Sequence, residues 1–388
     1  MNLVQVNFIT MKSIKHLLNI SFLISLTVSF THAQDGQNKE SIAGGASFWL
    51  EPLWGTQIDP RWKAGKVIGD VEDGITVEFV EFSPDGKLLV TGSGQGEAFI
   101  LDAADGAVRN SFTYITKEEV NQIDREKVSR ISGGYTKSLE VECGAFTPDG
   151  RFVVLGGNLN GIKIFDLSDG SLFRHIEVDE EVDGLSISPD GRFLAYASFR
   201  SAKVLGIHNW EMLQTVEYGQ SNTGSVVNSI HFTLDGNFMV VAGNAGHVML
   251  VNTNQWNPVG DGLIPHASSI KSVRFSPDER LIAAGNGGGE VTVWRTWDMK
   301  LTFQFSSMVY IEAVAWSSDG RYLMAGGRDD GEGRLRVFRT SDWQMVGNPT
   351  VRADGASIEY IDVHSELVAV AGEDAHVRLF RIKTKMNK

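Results

Sequence analysis

The sequence predicts an all-β fold, a seven-bladed ring of four-stranded antiparallel sheets in which an N-terminal strand completes the last sheet. Three observations predict it. A turn recurs along the 388 residues, as Phe82 to Gly86, Phe146 to Gly150 and Ile187 to Gly191, and in looser form as Phe232 to Gly236, Phe275 to Asp278 and Trp316 to Gly320. Its aspartates, Asp85, Asp149, Asp190, Asp235, Asp278 and Asp319, are spaced by 64, 41, 45, 43 and 41 residues, so one period of just over forty governs the chain. Each period reads as an alternating apolar segment, the Ser-Pro-Asp-Gly turn, a short apolar run, a glycine-rich turn and a third β-branched segment, which is three strands and the start of a fourth. Such sheets cannot each bury two faces alone, so they stack radially.

Taken in order, residues 1–33 read as a signal peptide. Lys12 and Lys15 make a basic start, Leu17 to Phe30 is an apolar run broken by Asn19, and Thr31-His32-Ala33 places a small residue before a cut near Ala33. The run is shorter than the roughly 20 residues of a membrane span, so no stable span is expected and the chain is expected to be exported, to a periplasm or the extracellular space. Met1 and Met11 are both candidate starts. Residues 34–64 read as a polar tether followed by an aromatic flank, with Phe48, Trp49, Trp54 and Trp62 covering a rim of core.

The propeller is expected over 65–388. In the first of these turns Pro84 presets φ at the second position, Asp85 suits the third and Gly86 takes the positive φ that closes a tight hairpin. The 64-residue spacing leaves an insertion at 116–138, where Thr116 and Glu119 form a capping box and Val120, Ile123, Val128 and Ile131 fall near one helical face, a short amphipathic helix. A degenerate seventh turn runs through Val363 to Glu366. The last unit has only three strands, and Gly65 to Val71 resembles the missing fourth, so the ring is expected to close with that segment in the seventh sheet. Trp210, Trp256, Trp297 and Trp343 recur in the turn after the third strand and are expected to be equivalent outer-blade packing residues.

The balance of 35 Lys+Arg against 48 Asp+Glu, a net charge of −13, argues against sequence-independent binding to nucleic acid or to an anionic membrane surface. The single cysteine, Cys143, rules out an intramolecular disulfide and a thiolate metal cluster and is expected inside a strand. There is no Gly-x-Ser-x-Gly elbow, His-Glu-x-x-His, phosphate loop or EF-hand loop. Gly285 to Gly289 is a hairpin turn with no helix after it, not a phosphate cradle. His175, His208, His231, His247, His266, His364 and His376 are scattered without metal-ligand spacing, so neither a cofactor nor a metal is expected.

The pattern Val-x-x-Val-x-Phe-Ser-Pro-Asp-Gly, then a Gly-rich turn, then Val-x-Val-Trp, resembles the WD-repeat family. The family's Gly-His pair is absent, and its Trp-Asp ending survives loosely as Leu101-Asp102, Phe165-Asp166, Trp294-Arg295, Phe338-Arg339 and Phe380-Arg381. When the first strands are aligned on their leading Val or Ile, the next residues are Glu78, Glu142, Asp183, Asn228, Lys271, Glu312 and Glu359. The resemblance implies that these positions ring the mouth of the central channel, where partner peptides dock, and Glu180 and Glu181 extend the acidic patch. Like charges gathered there raise one another's pKa or recruit a cation. The expected function is a monomeric protein-interaction scaffold that binds a protein or peptide, with a basic side chain, at this face. The alternative is an exported hydrolase, lactonase-like or glycan-cleaving, with a carboxylate-bound metal.

Overall fold

The computed structural model describes residues 47–385 apart from 59–75, 123–138, 159, 220–224, 261–263, 266–267, 307, 348 and 353–355. It is a ring of seven antiparallel sheets. Blades 1, 2 and 3 start with the strands Val80–Phe82, Val141–Phe146 and Leu185–Ile187 and end with the outer strands Val108–Thr113, Leu172–Ile176 and Glu211–Glu217. Blades 4, 5 and 6 start with Val227–Phe232, Ile270–Phe275 and Tyr310–Trp316. Blade 5 ends in one outer strand, Leu301–Ser306, while in blades 4 and 6 the outer position is divided between two short pieces.

The repeated turn forms for the chemical reason its residues imply. Ser83 donates to Asp85 at 2.8 Å and accepts from the Leu88 amide at 2.9 Å, Asp85 also accepts from the Lys87 amide, and Gly86 takes φ of 70°. The same set recurs in blade 5 around Ser276 and Asp278, where Glu279 occupies the glycine position at φ 59°. Gly287, Gly288 and Gly289 lie between the second and third strands of blade 5, whereas Gly285 is still within the second, and Gly289, at φ 78°, has the Met308 carbonyl where a Cβ would stand.

The core is seven separate clusters rather than one. Each straddles a single blade–blade interface, from Phe79, Ile100 and Leu155 between blades 1 and 2 to Leu89, Ala371 and Leu379 between blades 7 and 1. Stability is therefore local to neighbouring blades and depends on closure. Cys143 lies in the strand Val141–Phe146 and is buried.

Closure uses a different segment from the one the pattern favours. The outer strand of blade 7 is Ser47–Gln57, paired antiparallel with His376–Lys385 from Ser47 opposite Lys385 to Gln57 opposite His376. The segment expected there, Gly65 to Val71, lies outside the described residues, as do residues 1–33, Trp62 and His266. The aromatic flank is thus a strand of the propeller: Phe48 packs on Tyr322 of blade 6 at 4.9 Å, and Trp54 donates to the Ala103 carbonyl of blade 1 at 3.0 Å. In the insertion, a helix spans Lys117–Gln122, with Thr116 and Glu119 exchanging the two capping-box bonds; Ile123, Val128 and Ile131 fall outside the described residues. No described helix is long and apolar enough to cross a membrane.

One expected equivalence is corrected. The turn after the third strand places one residue at positive φ, and that residue is Gly106, Gly170, Trp210, Trp256, Met299 and Trp343 in blades 1 to 6. Trp297 is two residues out of step; it is 67% exposed, beneath the Arg295 guanidinium. Trp343 tolerates the left-handed backbone because its indole stacks on Phe303 at 4.7 Å and meets Trp316 edge-on. Relief of strain favours glycine there by roughly 1 kcal/mol, whereas lost aromatic packing costs about 3. Trp343→Gly is therefore expected to destabilise by about 2 kcal/mol in chemical denaturation; a stabilised variant would show that strain dominates.

Candidate functional site: the channel mouth

In every blade the leading apolar residue of the first strand, from Val77 through Ile270 to Ile358, is buried in an interface core. In blades 2, 4, 5, 6 and 7 the strand register shifts at the next position, leaving Glu142, Asn228, Lys271, Glu312 and Glu359 in a β-bulge. A bulge re-aims a side chain that the pleat would otherwise direct elsewhere. Glu78 and Asp183 hold the matching places just ahead of the strands of blades 1 and 3. All seven ring residues line one central cavity of about 530 Å³, together with Glu140 and Glu181. Glu180, expected beside them, instead pairs with Lys203 at 2.9 Å.

Carboxyl groups are the commonest side chains on the walls, and burial is the first cause of the raised values among them. Glu78 rises from 4.5 to about 7, by burial first; the hydrogen bond from Thr76 opposes this and the charges of Glu140, Glu312 and Glu373 add to it. Burial likewise lifts Asp183 to about 6, against the pull of Lys271, and Glu181 to about 7, with Asp183 and Glu140 contributing. Glu142 and Glu359 are pushed well above the carboxylate range by burial and then by the charge of Glu78. Other ring positions are also engaged: Lys271 lies 3.7 Å from Glu312 and over the Tyr310 ring, and Asn228 donates to the Ile270 carbonyl at 2.7 Å.

Below the ring lies a layer that the alignment did not single out. Arg274 of blade 5 reaches past blade 6 to donate to the Tyr360 hydroxyl of blade 7 at 2.7 Å, and Tyr360 donates to Glu81 of blade 1 at 2.9 Å. This strut ties three blades together and places Arg274, Tyr360 and Glu81 on the cavity wall. Asp362 accepts from the Phe82 amide at 2.8 Å, and His231, lowered to about 3 by burial and then by Arg274, accepts from the Phe275 amide. Glu81, His231, Arg274 and Asp362 all stand four residues after their leading Val or Ile, three beyond the ring position, so the same alignment groups these four, though not Tyr360.

Among the described residues no three His, Cys, Asp or Glu side chains converge closely enough to ligate one ion. The arrangement is an acidic cup that favours a cationic group, with hydrogen-bond acceptors on several sides.

The repeat architecture agrees with known proteins. The WD domain, G-beta repeat, model matches residues 257–295 and 300–336. The chain carries WD repeats. Each match begins at the outer strand of one blade and runs into the third strand of the next, so in this register the first unit of a WD-repeat propeller donates its outer strand to the last blade, as Ser47–Gln57 does. Similar proteins include Actin-interacting protein 1-2 of Arabidopsis thaliana, 24% identical over 63% of this chain and 39% of that protein. THO complex subunit 3 of Arabidopsis thaliana is 20% identical over 62% of this chain and 74% of that one. The U3 small nucleolar RNA-associated protein 15 homolog of Gallus gallus is 26% identical over 55% of this chain and 44% of its own length. The chain thus spans well under two thirds of several of the relatives it matches.

Proposed function

We propose that this WD-repeat propeller is an exported, monomeric protein-interaction scaffold that takes a basic side chain of a partner protein into the acidic mouth of its channel. The observation that carries the reading is the convergence of all seven ring positions on one cavity, in which carboxyl groups outnumber the cations Lys271 and Arg274, the first already paired with Glu312 and the second donating to Tyr360. A guanidinium or ammonium group entering the cup replaces the water that the buried carboxylates have lost, and supplies the charge they lack. Relatives named as an actin-interacting protein and as a subunit of a complex support a scaffold role. Export rests on the basic and apolar pattern of residues 1–33.

The test uses short peptides carrying one central arginine and otherwise identical peptides carrying glutamine, titrated calorimetrically. The arginine peptides are expected to bind, and Glu78→Gln, Glu142→Gln and Glu359→Gln together to weaken them about tenfold or more. Equal binding of both peptides, or an affinity that the triple variant leaves unchanged, overturns the reading.

A further inference from the structure

On the face opposite the mouth, the hairpin turns are tied to one another around much of the ring. Arg192 of blade 3 donates to the Gly236 carbonyl of blade 4 at 3.2 Å, Glu279 of blade 5 accepts from the Leu234 amide of blade 4, and His364 of blade 7 covers Gly86 of blade 1. Between blades 2 and 3 the space beside Gly191 is open: nothing lies within 4 Å of where a Cβ would stand. A groove of about 620 Å³ occupies this gap. Its aromatic wall is Phe152, Phe173 and Trp210. Phe173 is the bulged residue of the outer strand, 49% exposed, with its ring 4.6 Å from that of Phe152, and Trp210 meets Phe152 edge-on at 6.4 Å.

The groove also carries an uncompensated charge. In the other turns the residue two places after the aspartate holds its carboxylate: Lys87 lies 2.9 Å from Asp85, Arg321 2.6 Å from Asp319 and Arg280 3.9 Å from Asp278; Arg192 pairs with Asp190, and Asn237 donates to Asp235 at 2.7 Å. In blade 2 that residue is Arg151, and it turns away. Its Nε lies 3.3 Å from Asp166 and its guanidinium 4.6 Å from the Phe152 centroid. Asp149, on the groove rim, is left without a cationic partner among the described residues.

We propose that this groove docks a short extended segment of a partner protein that presents an aromatic or aliphatic side chain beside a lysine or arginine. The apolar side chain enters between Phe173 and Trp210, where aromatic walls reward burial, and the cation pairs with Asp149. The net charge of −13 favours a cationic partner segment over a second copy of the same chain. This face is separate from the channel mouth, so the two sites succeed or fail independently.

The probe is a phage-displayed library of random linear peptides, panned on the purified full chain and counter-selected on the Phe173→Glu variant. Enriched peptides, resynthesised and measured by fluorescence anisotropy, are expected to share an aromatic or aliphatic residue next to Lys or Arg. Phe173→Glu and Asp149→Lys are each expected to weaken them about tenfold or more, while Glu78→Gln and Glu359→Gln at the mouth leave them unchanged. Both substituted side chains are exposed, and circular dichroism of the variants verifies the fold. Enrichment of peptides lacking a basic residue, affinity that survives Asp149→Lys, or no peptide that Phe173→Glu rejects overturns the proposal. So does a stable dimer in sedimentation that Phe173→Glu dissociates, since the groove then belongs to a second copy.

Discussion

A chain lacking residues 47–57 is expected to yield no soluble folded propeller, read as loss of the monomer peak in size exclusion and of a cooperative unfolding transition. The strand is last in space but first in the described chain, and it alone completes blade 7. Its removal leaves His376–Lys385 as an open edge and uncovers apolar surface on three blades at once. Phe48 fills a gap against Tyr322 of blade 6, Trp54 and Thr56 bond the Ala103 and Gly106 carbonyls of blade 1, and Glu51 pairs with Lys383 at 3.3 Å. Gly106 has no room for a side chain because Trp54 occupies it. In a ring whose core is divided among interfaces, one open interface exposes its neighbours to fraying, and an unpaired edge invites aggregation. A milder variant separates closure from general damage: Trp54→Ala, which keeps the strand, is expected to cost about 3 kcal/mol in chemical denaturation. A monomeric, cooperatively unfolding product of the deletion would overturn the account.

The repeat was legible because its information is local. Ser83, Asp85 and Gly86 satisfy one another within a few residues, so the turn is written in the chain wherever it occurs. The ring residues were legible for a related reason: they occupy one backbone position, a bulge, in successive copies. What the sequence did not reveal depends on contacts made across the ring. Arg274 and Tyr360 are 86 residues apart and meet past an intervening blade, and nothing in either repeat marks the other as its partner. The closing strand was misplaced because Ser47–Gln57 does not read as a regular strand: it contains Pro52 and Gly55, and its register shifts between Pro52 and Trp54. Its assignment follows from what it packs against, not from its own pattern. Trp297 misled for the opposite reason. Residue type was read as position, whereas the left-handed turn fixes position by backbone, and in blade 5 that place belongs to Met299.

The thermal midpoint is expected to be highest near pH 4 to 5 and to fall by about 5 °C or more on going to about pH 8. The sign follows from the mouth and the layer beneath it. Burial raises Glu78 to about 7 and Asp183 to about 6 in the folded state, and lifts Glu81 from 4.5 to about 8, with Asp362 adding to the rise and Arg274 opposing it. A carboxyl whose folded value exceeds its unfolded one binds its proton more tightly when folded, so its contribution is complete below about pH 4 and is lost as pH climbs through the folded value. For Glu81 that loss extends to about pH 8. The turn aspartates act oppositely. Asp85, held down to about 2 by its bonds with Lys87 and Ser83, contributes stability that disappears as pH falls below about 3.8. The maximum therefore lies between the two ranges. Glu78→Gln, Glu142→Gln and Glu359→Gln together remove part of the cost of ionising buried acids, so this triple variant is expected to melt higher than wild type at about pH 8 and to show a shallower decline. A midpoint that stays flat or rises from about pH 5 to pH 8, or a variant as steep as wild type, would sink the account. The same three substitutions are expected to weaken arginine peptides while raising the melting point. Opposite changes in binding and stability distinguish a site kept ionisable for a cationic partner from carboxylates that serve only the fold.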